Sequence, residues 1–240
     1  MGRLSQKPKN NSLLVAVYDQ WQQDEADTQQ LIEIIQTHIS GLQHICELAC
    51  GSGTITAGLI SDDVHLLASD LDLNMLDQAK AKLNHPNLTF QQANMVDFDF
   101  EKIFDAIVVA NDSVNFLEDI DQLTQFAQRC YRHLPNNGKV LFDVHSITRL
   151  DYFKKPYIET GMIDELGYEY EISTADQHLI HTITWYQDAY PIQEQLTQRV
   201  FNKDEICKAF NLEYWNVEFE SIDDIDHQQQ KWFVKAIKKK

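Results

Sequence analysis

The chain reads as an α/β fold: a mostly parallel sheet with helices on both faces, and an antiparallel β cap inserted late in the sequence. Three observations predict it. Apolar strand-like runs alternate with helical patterns from residue 24 to residue 145, the rhythm of βα units joined by right-handed crossovers. A glycine turn, Gly51-Ser52-Gly53, stands between the first of these strands and its helix. From residue 146 the rhythm gives way to short alternating segments bounded by turns.

Leu31, Ile34, Ile35 and Ile39 recur at helical spacing in residues 24–39, and Gly41 ends that helix. HICELA is the first strand, with Glu47 near its end, and TITAGLI the helix after the turn. VHLLAS is the second strand, closed by Asp70. Residues 73–83 form an amphipathic helix that stops before His85-Pro86 and has Asp72 as its best-placed cap. LTFQQA is a third strand, and IFDAIVVA a fourth, apolar enough to be buried on both faces. Residues 118–134 place Leu123, Phe126, Ala127, Cys130 and Leu134 on one side of a helix, with Asp119 or Asp121 in its acidic first turn. Pro135-Asn136-Asn137-Gly138 turns into KVLFDVH, the fifth strand. YEYEIST, HLIHTITWYQD and EQLTQRVF alternate as antiparallel strands do, and FNKDEICKAFN returns to helix. LEYWNVEFES and KWFVKAIKK supply two last strands, joined by the acidic turn 222–226. The expected division is a core of residues 1–145 and 202–240 with seven strands, and a cap of residues 146–201.

A chain of 240 residues with 43% hydrophobic and 24% charged residues buries a full core as one soluble domain. No apolar run approaches the ~20 residues that span a bilayer. MGRLSQKPKN lacks the apolar segment of a secretory signal, so a cytoplasmic location and reduced thiols at Cys46, Cys50, Cys130 and Cys207 are expected. Cys46 and Cys50 lack a second ligand pair, and His178 and His181 fall on opposite faces of a strand, so no metal is expected. The net charge of −17 argues against nucleic acid, which needs a basic face to displace counterions. Lys7, Lys9 and the Lys238-Lys239-Lys240 tail read as frayed, solvated ends. A small-molecule partner fits the charge, and the composition is compatible with a monomer or a homodimer.

The glycine turn narrows the ligand. A strand, glycine turn, helix and later acidic residue serve two classes of nucleoside cofactor. Dinucleotide sites want G-x-G-x-x-G, and here Thr56 occupies the third-glycine place while Gly58 is off register. The other class binds S-adenosylmethionine, which has no phosphate to cradle.

ELACGSG followed by Asp70 resembles the first two motifs of class I S-adenosylmethionine-dependent methyltransferases. FDAIVVANDSVNFL resembles the fourth-strand motif of that family, LPNNGKVLFDVHS its fifth-strand motif, and VYDQW the entry segment of small bacterial members. The wording NDSVNFL and FDVHS, with a β insert after it, is similar to the YqeM-like group. The resemblance covers residues 15–145 and 202–238 and implies a Rossmann-like, seven-stranded sheet. It implies S-adenosylmethionine as cofactor and S-adenosylhomocysteine as product. It also implies that Glu47 orders the turn and the cofactor amino group, that Ala49, Gly51 and Gly53 approach it by backbone, and that Asp70 accepts the ribose hydroxyls. Leu71 and Met75 would lie beside the adenine, Asn94 and Met95 at its edge, and Asn111 near the sulfonium, with Tyr18 and Trp21 closing over the top. Asn94 stands where the family often has Asp.

An acceptor would sit at the C-terminal ends of the fourth and fifth strands, where open α/β sheets bind ligands. His145 is the leading candidate base, because an unperturbed imidazole titrates near neutrality, with Asp112 next. Asp143 and Ser113 lie nearby, and Asn115 suits a loop-holding role. Tyr152, Phe153, Tyr157, Tyr168, Tyr170, Trp185, Tyr186 and Tyr190 furnish the cap with aromatics, divided between pocket and core. Transfer to tRNA or protein, a non-catalytic cofactor-binding module and a nicotinamide-dependent enzyme are the alternatives.

Overall fold

The computed structural model describes residues 12–21, 25–186, 190–223 and 229–240. The elements follow in chain order: α1 (Leu13–Trp21), α2 (Glu25–Ile39), β1 (His44–Leu48), α3 (Thr54–Leu59), β2 (His65–Asp70), α4 (Leu73–Lys82), β3 (Leu88–Gln92) and β4 (Ala106–Val109). A 3-10 turn (Ser113–Phe116), α5 (Ile120–Arg132), β5 (Lys139–His145) and α6 (Thr148–Tyr152) come next. Four cap strands follow, β6 (Tyr157–Ile163), β7 (Leu166–Ala175), β8 (His178–Tyr186) and β9 (Ile192–Arg199). Then come α7 (Lys203–Ala209), β10 (Trp215–Asp223) and β11 (Gln229–Lys238).

The main sheet has seven strands in the order β10-β11-β5-β4-β1-β2-β3. Strands β1 to β5 are parallel, and β11 runs antiparallel between β5 and β10. That order places the ends of β1 and β4 side by side at the centre, with β2 and β5 flanking them. Leu31, Ile35 and Ile39 of α2, with Ile55 and Leu59 of α3, pack on one face against Ile45, Leu66 and Val108. Phe126 and Cys130 of α5, with Ile206 of α7 and Phe210 just past its end, pack on the other against Cys46, Ile107 and Phe142. Each large side chain withdrawn from water stabilises the fold by about 1.5–3 kcal/mol. Phe126 is fully buried and meets both Phe142 and Phe210 edge-on.

Local chemistry starts the helices. Asp72 accepts the Asn74 N–H at 2.8 Å, and Asp119 accepts the Gln122 N–H at 2.8 Å. Asn202 and Glu205 close a reciprocal capping box at α7. All four cysteines are free.

The cap is a separate four-stranded antiparallel sheet, β6-β7-β8-β9. A fourth strand, β6, thus joins the three that alternation predicts. Trp185 and Phe153 are core, whereas Tyr190 and Tyr186 are exposed. The basic tail differs from expectation. Strand β11 runs to Lys238, whose Nζ donates to the Tyr131 and Leu134 carbonyls at 2.8 Å and lies 4.0 Å from the centre of the Tyr131 ring. The end of α5 holds that lysine, so the chain does not fray there. Lys7, Lys9 and most of the turn 222–226 lie outside the described residues. No helix among the described residues is long and apolar enough to cross a membrane.

Phe126→Ala should cost about 3–5 kcal/mol, because Phe142 and Phe210 lose a shared neighbour. Urea unfolding of the two proteins measures the difference, and a loss below ~1 kcal/mol would mean that the site collapses to fill the gap.

Candidate active site

The backbone leaves ordinary φ/ψ space where β1 and β4 end. Ala49, Gly51 and Gly53 have φ of 55°, 55° and 90°, and Asn111 and Asp112 follow at 55° and 56°. Left-handed conformations are costly for residues with a Cβ, and they concentrate where a fold shapes a ligand cleft. The two glycines have different reasons. A Cβ on Gly51 would meet no protein atom within 4 Å, so its place borders open space above the turn. A Cβ on Gly53 would lie 2.8 Å from Leu83 Cδ1 and 3.1 Å from Ala79 Cβ, so Gly53 lets α4 pack close.

Two carboxylates frame the turn. Asp70 Oδ2 accepts the Gly51 N–H at 2.8 Å, and its Oδ1 accepts the Asp72 N–H at 2.8 Å. Asp72 caps α4, which leaves Asp70 turned to the cleft. Burial raises the Asp70 pKa, against the pull of those N–H groups. Glu47 is buried and accepts the Thr56 hydroxyl at 2.7 Å. The residue standing in place of a third glycine therefore holds the acid of the first motif. Burial pushes the Glu47 pKa up to about 8. Among the described residues no lysine or arginine pairs with Glu47 or Asp70.

Leu71 is 44% exposed beside Asp70, and Gln92 Nε2 donates to its carbonyl at 2.8 Å. Met75 is half-buried on the first turn of α4. Asn94 spends its side-chain oxygen locally, accepting the Val96 N–H at 3.2 Å, and Met95 packs on the core.

Helix α1 straps this cleft. Asp19 accepts Ser52 Oγ at 2.5 Å and Lys82 Nζ at 2.8 Å, and Gln78 Nε2 donates to the Val15 carbonyl at 2.8 Å. The other end of α1 is held by the cap: the Glu194 carboxylate accepts the Leu13 and Leu14 N–H groups at 3.1 and 2.9 Å and Trp185 Nε1 at 2.8 Å. Burial raises the Tyr18 phenol to about 12, and Asp70, Asp112 and Asp19 push the same way. Tyr18 packs on the cluster of Leu14, Ile183 and Trp185, within electrostatic reach of both Asp70 and Asp112. Trp21 belongs to the helix, but its side chain lies outside the described residues.

At the ends of β4 and β5 the structure gathers Asp112, Asp143, His145 and Lys231. Asp143 and His145 are two apart on β5 and share a face, and β11 pairs Lys231 with His145. Lys231 Nζ lies 2.7 Å from Asp112 Oδ2 and 3.5 Å from Asp143 Oδ2, which also accepts the Asp112 N–H at 3.1 Å. His145 and Lys231 hold the Asp112 carboxyl well below the usual range, although burial opposes them. Burial and the Asp112 charge push Asp143 up to about 7. His145 is nearly inaccessible, and burial pushes its pKa down to about 3. The near-neutral titration expected of His145 thus falls to Asp143. Asn115 holds the loop as expected, accepting the His145 N–H at 3.1 Å and donating to the Arg199 carbonyl at 2.6 Å. Ser113 donates to the Ala110 carbonyl at 2.6 Å. Among the described residues no group of three or more His, Cys, Asp or Glu is arranged to hold a metal. Lys231, Asp19, Glu194 and Gln198 are the participants that sequence reasoning missed.

Comparison with known proteins finds relatives along most of the chain. Residues 45–138 match the family described as "Methyltransferase domain". A curated relative from Geobacillus sp. (strain WCH70) is 31% identical over 155 residues, covering 64% of this chain and 61% of that protein, so the match spans about three-fifths of its length. "Putative methyltransferase YqeM" of Bacillus subtilis (strain 168) is 27% identical over 237 residues, covering 94% of this chain and 92% of that one. A solved S-adenosylmethionine-dependent methyltransferase from Clostridium acetobutylicum shares the fold with a TM-score of 0.78 at 21% identity, covering 95% and 98% of the two chains. The sugar N-methyltransferase KedS8 from Streptoalloteichus shares it with a TM-score of 0.76 at 17% identity, covering 100% and 99%. Fold, motifs and matches point the same way: the chain carries a methyltransferase domain over residues 45–138 and is similar to S-adenosylmethionine-dependent methyltransferases. Within that class it is similar to the YqeM-like proteins.

The cleft fits that cofactor. It offers open space over Gly51, a buried acid without a cation, and a second carboxylate fixed by two backbone N–H groups.

The Glu47 pKa rises from 4.5 in the unfolded chain to about 8 in the fold. Between those values the unfolded chain binds fewer protons, so stability of the cofactor-free protein falls as pH rises. Thermal unfolding from pH 5 to pH 8 should show a falling Tm that is shallower in Glu47→Gln, and parallel curves would remove Glu47 from that role. Gly53→Ala should lower stability by about 1–3 kcal/mol through strain and overpacking against Ala79. Denaturant titration measures that loss, and an unchanged midpoint would mean that the turn tolerates a Cβ.

Proposed function

We propose that this protein transfers the methyl group of S-adenosylmethionine to a small, amine-bearing acceptor enclosed between the ends of β4 and β5 and the inner face of the cap. The observation that carries this reading is the acidic corner at the ends of β4 and β5: Asp112 and Asp143 side by side, with Lys231 committed to both and Tyr18 within electrostatic reach of Asp70 and Asp112. Such a cleft presents no basic track for a polynucleotide and suits a cationic or neutral small molecule. The fold shared with a sugar N-methyltransferase supports an amine on a polar carrier.

When bound, S-adenosylmethionine supplies an electrophilic methyl group on a good leaving group. The protein's part is to hold and desolvate. Asp70 accepts the ribose hydroxyls with the lone pairs that Gly51 and Asp72 leave open. Glu47 ionises against the cofactor's ammonium, which offsets the burial that keeps it neutral in the free protein. Leu71 and Met75 cover the base, Ala49 and Gly51 admit the methionine portion along the backbone, and Asn111 borders the transferring end. Tyr18 excludes water. Asp112, always ionised, orients an N–H of the acceptor. Asp143 holds Asp112 in place by accepting its backbone N–H, and the methylated amine carries its own proton away as an ammonium ion.

Calorimetry with S-adenosylmethionine and S-adenosylhomocysteine tests the cofactor half. Both should bind at micromolar concentrations, and Asp70→Ala should weaken them roughly ten- to a hundredfold, the worth of charge-assisted hydrogen bonds. Absence of binding to either would sink the reading. For the acceptor, labelled-methyl transfer to amino-sugar nucleotides should exceed transfer to tRNA or protein fractions. Labelling confined to tRNA, with steep salt dependence, would overturn the small-molecule assignment.

A further inference from the structure

Two imidazole rings on different elements converge on one amide. His145 ends β5, His181 lies on β8, and Gln198 on β9 sets its side-chain amide between them. His145 Nε2 lies 3.0 Å and His181 Nε2 2.9 Å from Gln198 Oε1. The Tyr170 hydroxyl lies 2.6 Å from His181 Nδ1. Gln198 is buried, which is unusual for a glutamine unless its amide is engaged. The other nitrogen of His145, Nδ1, faces Asp112 Oδ1 at 3.4 Å, and both atoms are buried without a hydrogen-bond partner.

Proton counting decides what lies between those two atoms. A carboxylate oxygen brings only lone pairs. A bare Nδ1 would set acceptor against acceptor where water cannot intervene, and buried polar groups left in that way are costly. Two proton counts avoid it. With the Gln198 carbonyl toward the rings, His145 carries hydrogens on both nitrogens. With the Gln198 NH2 toward the rings, the amide's two hydrogens satisfy both Nε2 atoms, and His145 is neutral with its hydrogen on Nδ1. The amide's oxygen and nitrogen have the same shape, so the network selects between these counts. Both counts place a hydrogen on Nδ1, directed at Asp112.

We propose that Gln198, on the inner face of the cap, is a positioning residue of the transfer site: by occupying Nε2 of His145 it directs Nδ1–H at Asp112 and fixes the carboxylate against which the acceptor is presented. His181, anchored by Tyr170, seats Gln198 in turn. The proposal rests on Asp112 facing the acceptor, as argued above. Around the ring stand Asp112 from the β4 end, Asp143 from β5, Arg149 from α6, His181 from β8 and Lys231 from β11. Burial and the two cations oppose a second proton on His145, so the neutral count with the NH2 toward the rings is the resting one.

Nitrogen-15 spectra of the histidine rings test this without any acceptor. In the full-length protein at pH 7, His145 should carry a hydrogen on Nδ1, assigned by its loss in His145→Asn. Gln198→Glu keeps the shape but offers only lone pairs, so it should turn His145 into the doubly protonated form. The titration midpoint of the ring should then rise by about one unit or more. Affinity for S-adenosylhomocysteine should change less than about twofold, since Gln198 touches no residue of the glycine turn. A bare Nδ1 in the wild type, or an unchanged ring state in Gln198→Glu, would overturn the proposal. Failure of the wild type to bind S-adenosylhomocysteine would instead overturn the cofactor reading, while the ring spectra would still report on Gln198.

Discussion

One carboxylate makes the cleft. Asp70 accepts hydrogen bonds from Gly51 and Asp72, so a single side chain ties the turn after β1 to the turn after β2. The left-handed turn at Ala49, Gly51 and Gly53 carries a Cβ penalty only at Ala49, and the hydrogen bond from Gly51 N–H to Asp70 helps to hold it. Everything above it is placed relative to that knot. Thr56 reaches Glu47 only because α3 starts where the turn releases it. Ser52 meets Asp19 only because the turn presents its hydroxyl outward.

The second half of the cleft is built by different means. No glycine shapes the end of β4. Asn111 and Asp112 adopt left-handed conformations in succession, and Asn115 binds that loop to β5 and to the end of β9. Four ionisable groups then share one buried corner, and they settle unequally: Asp112 stays ionised, Asp143 rises to about 7 and His145 falls to about 3. Burial drives Asp143 up and His145 down, whereas His145 and the closely held Lys231 keep Asp112 low against its own burial.

Much of this was legible in the chain because it is local. The βα rhythm, the Asp72 and Asp119 caps and the pairing of Asp70 with the glycine turn each depend on residues near one another or on a regular period. What was not legible is long-range. Glu194 reaches helix α1 across about 180 residues, and Gln198 meets His145 across 53. Lys231 reads as one more residue of a final strand, and only the antiparallel insertion of β11 beside β5 makes it a partner of Asp112. His145 illustrates the opposite error. Its type suggested a titrating base, but titration is set by surroundings that no motif specifies.

The strap has a consequence for how the molecule is made. Helix α1 is translated before the other described elements, yet its first N–H groups dock on Glu194 and its Asp19 docks on Ser52 and Lys82. Its two anchors are thus translated at very different times. Until β9 emerges the helix has only its later anchor, and until β11 emerges the space between β5 and β10 stays empty. A nascent chain can therefore form the glycine turn early but cannot roof it. The floor of the cleft can thus form well before its roof, which needs both α1 and β9 in place.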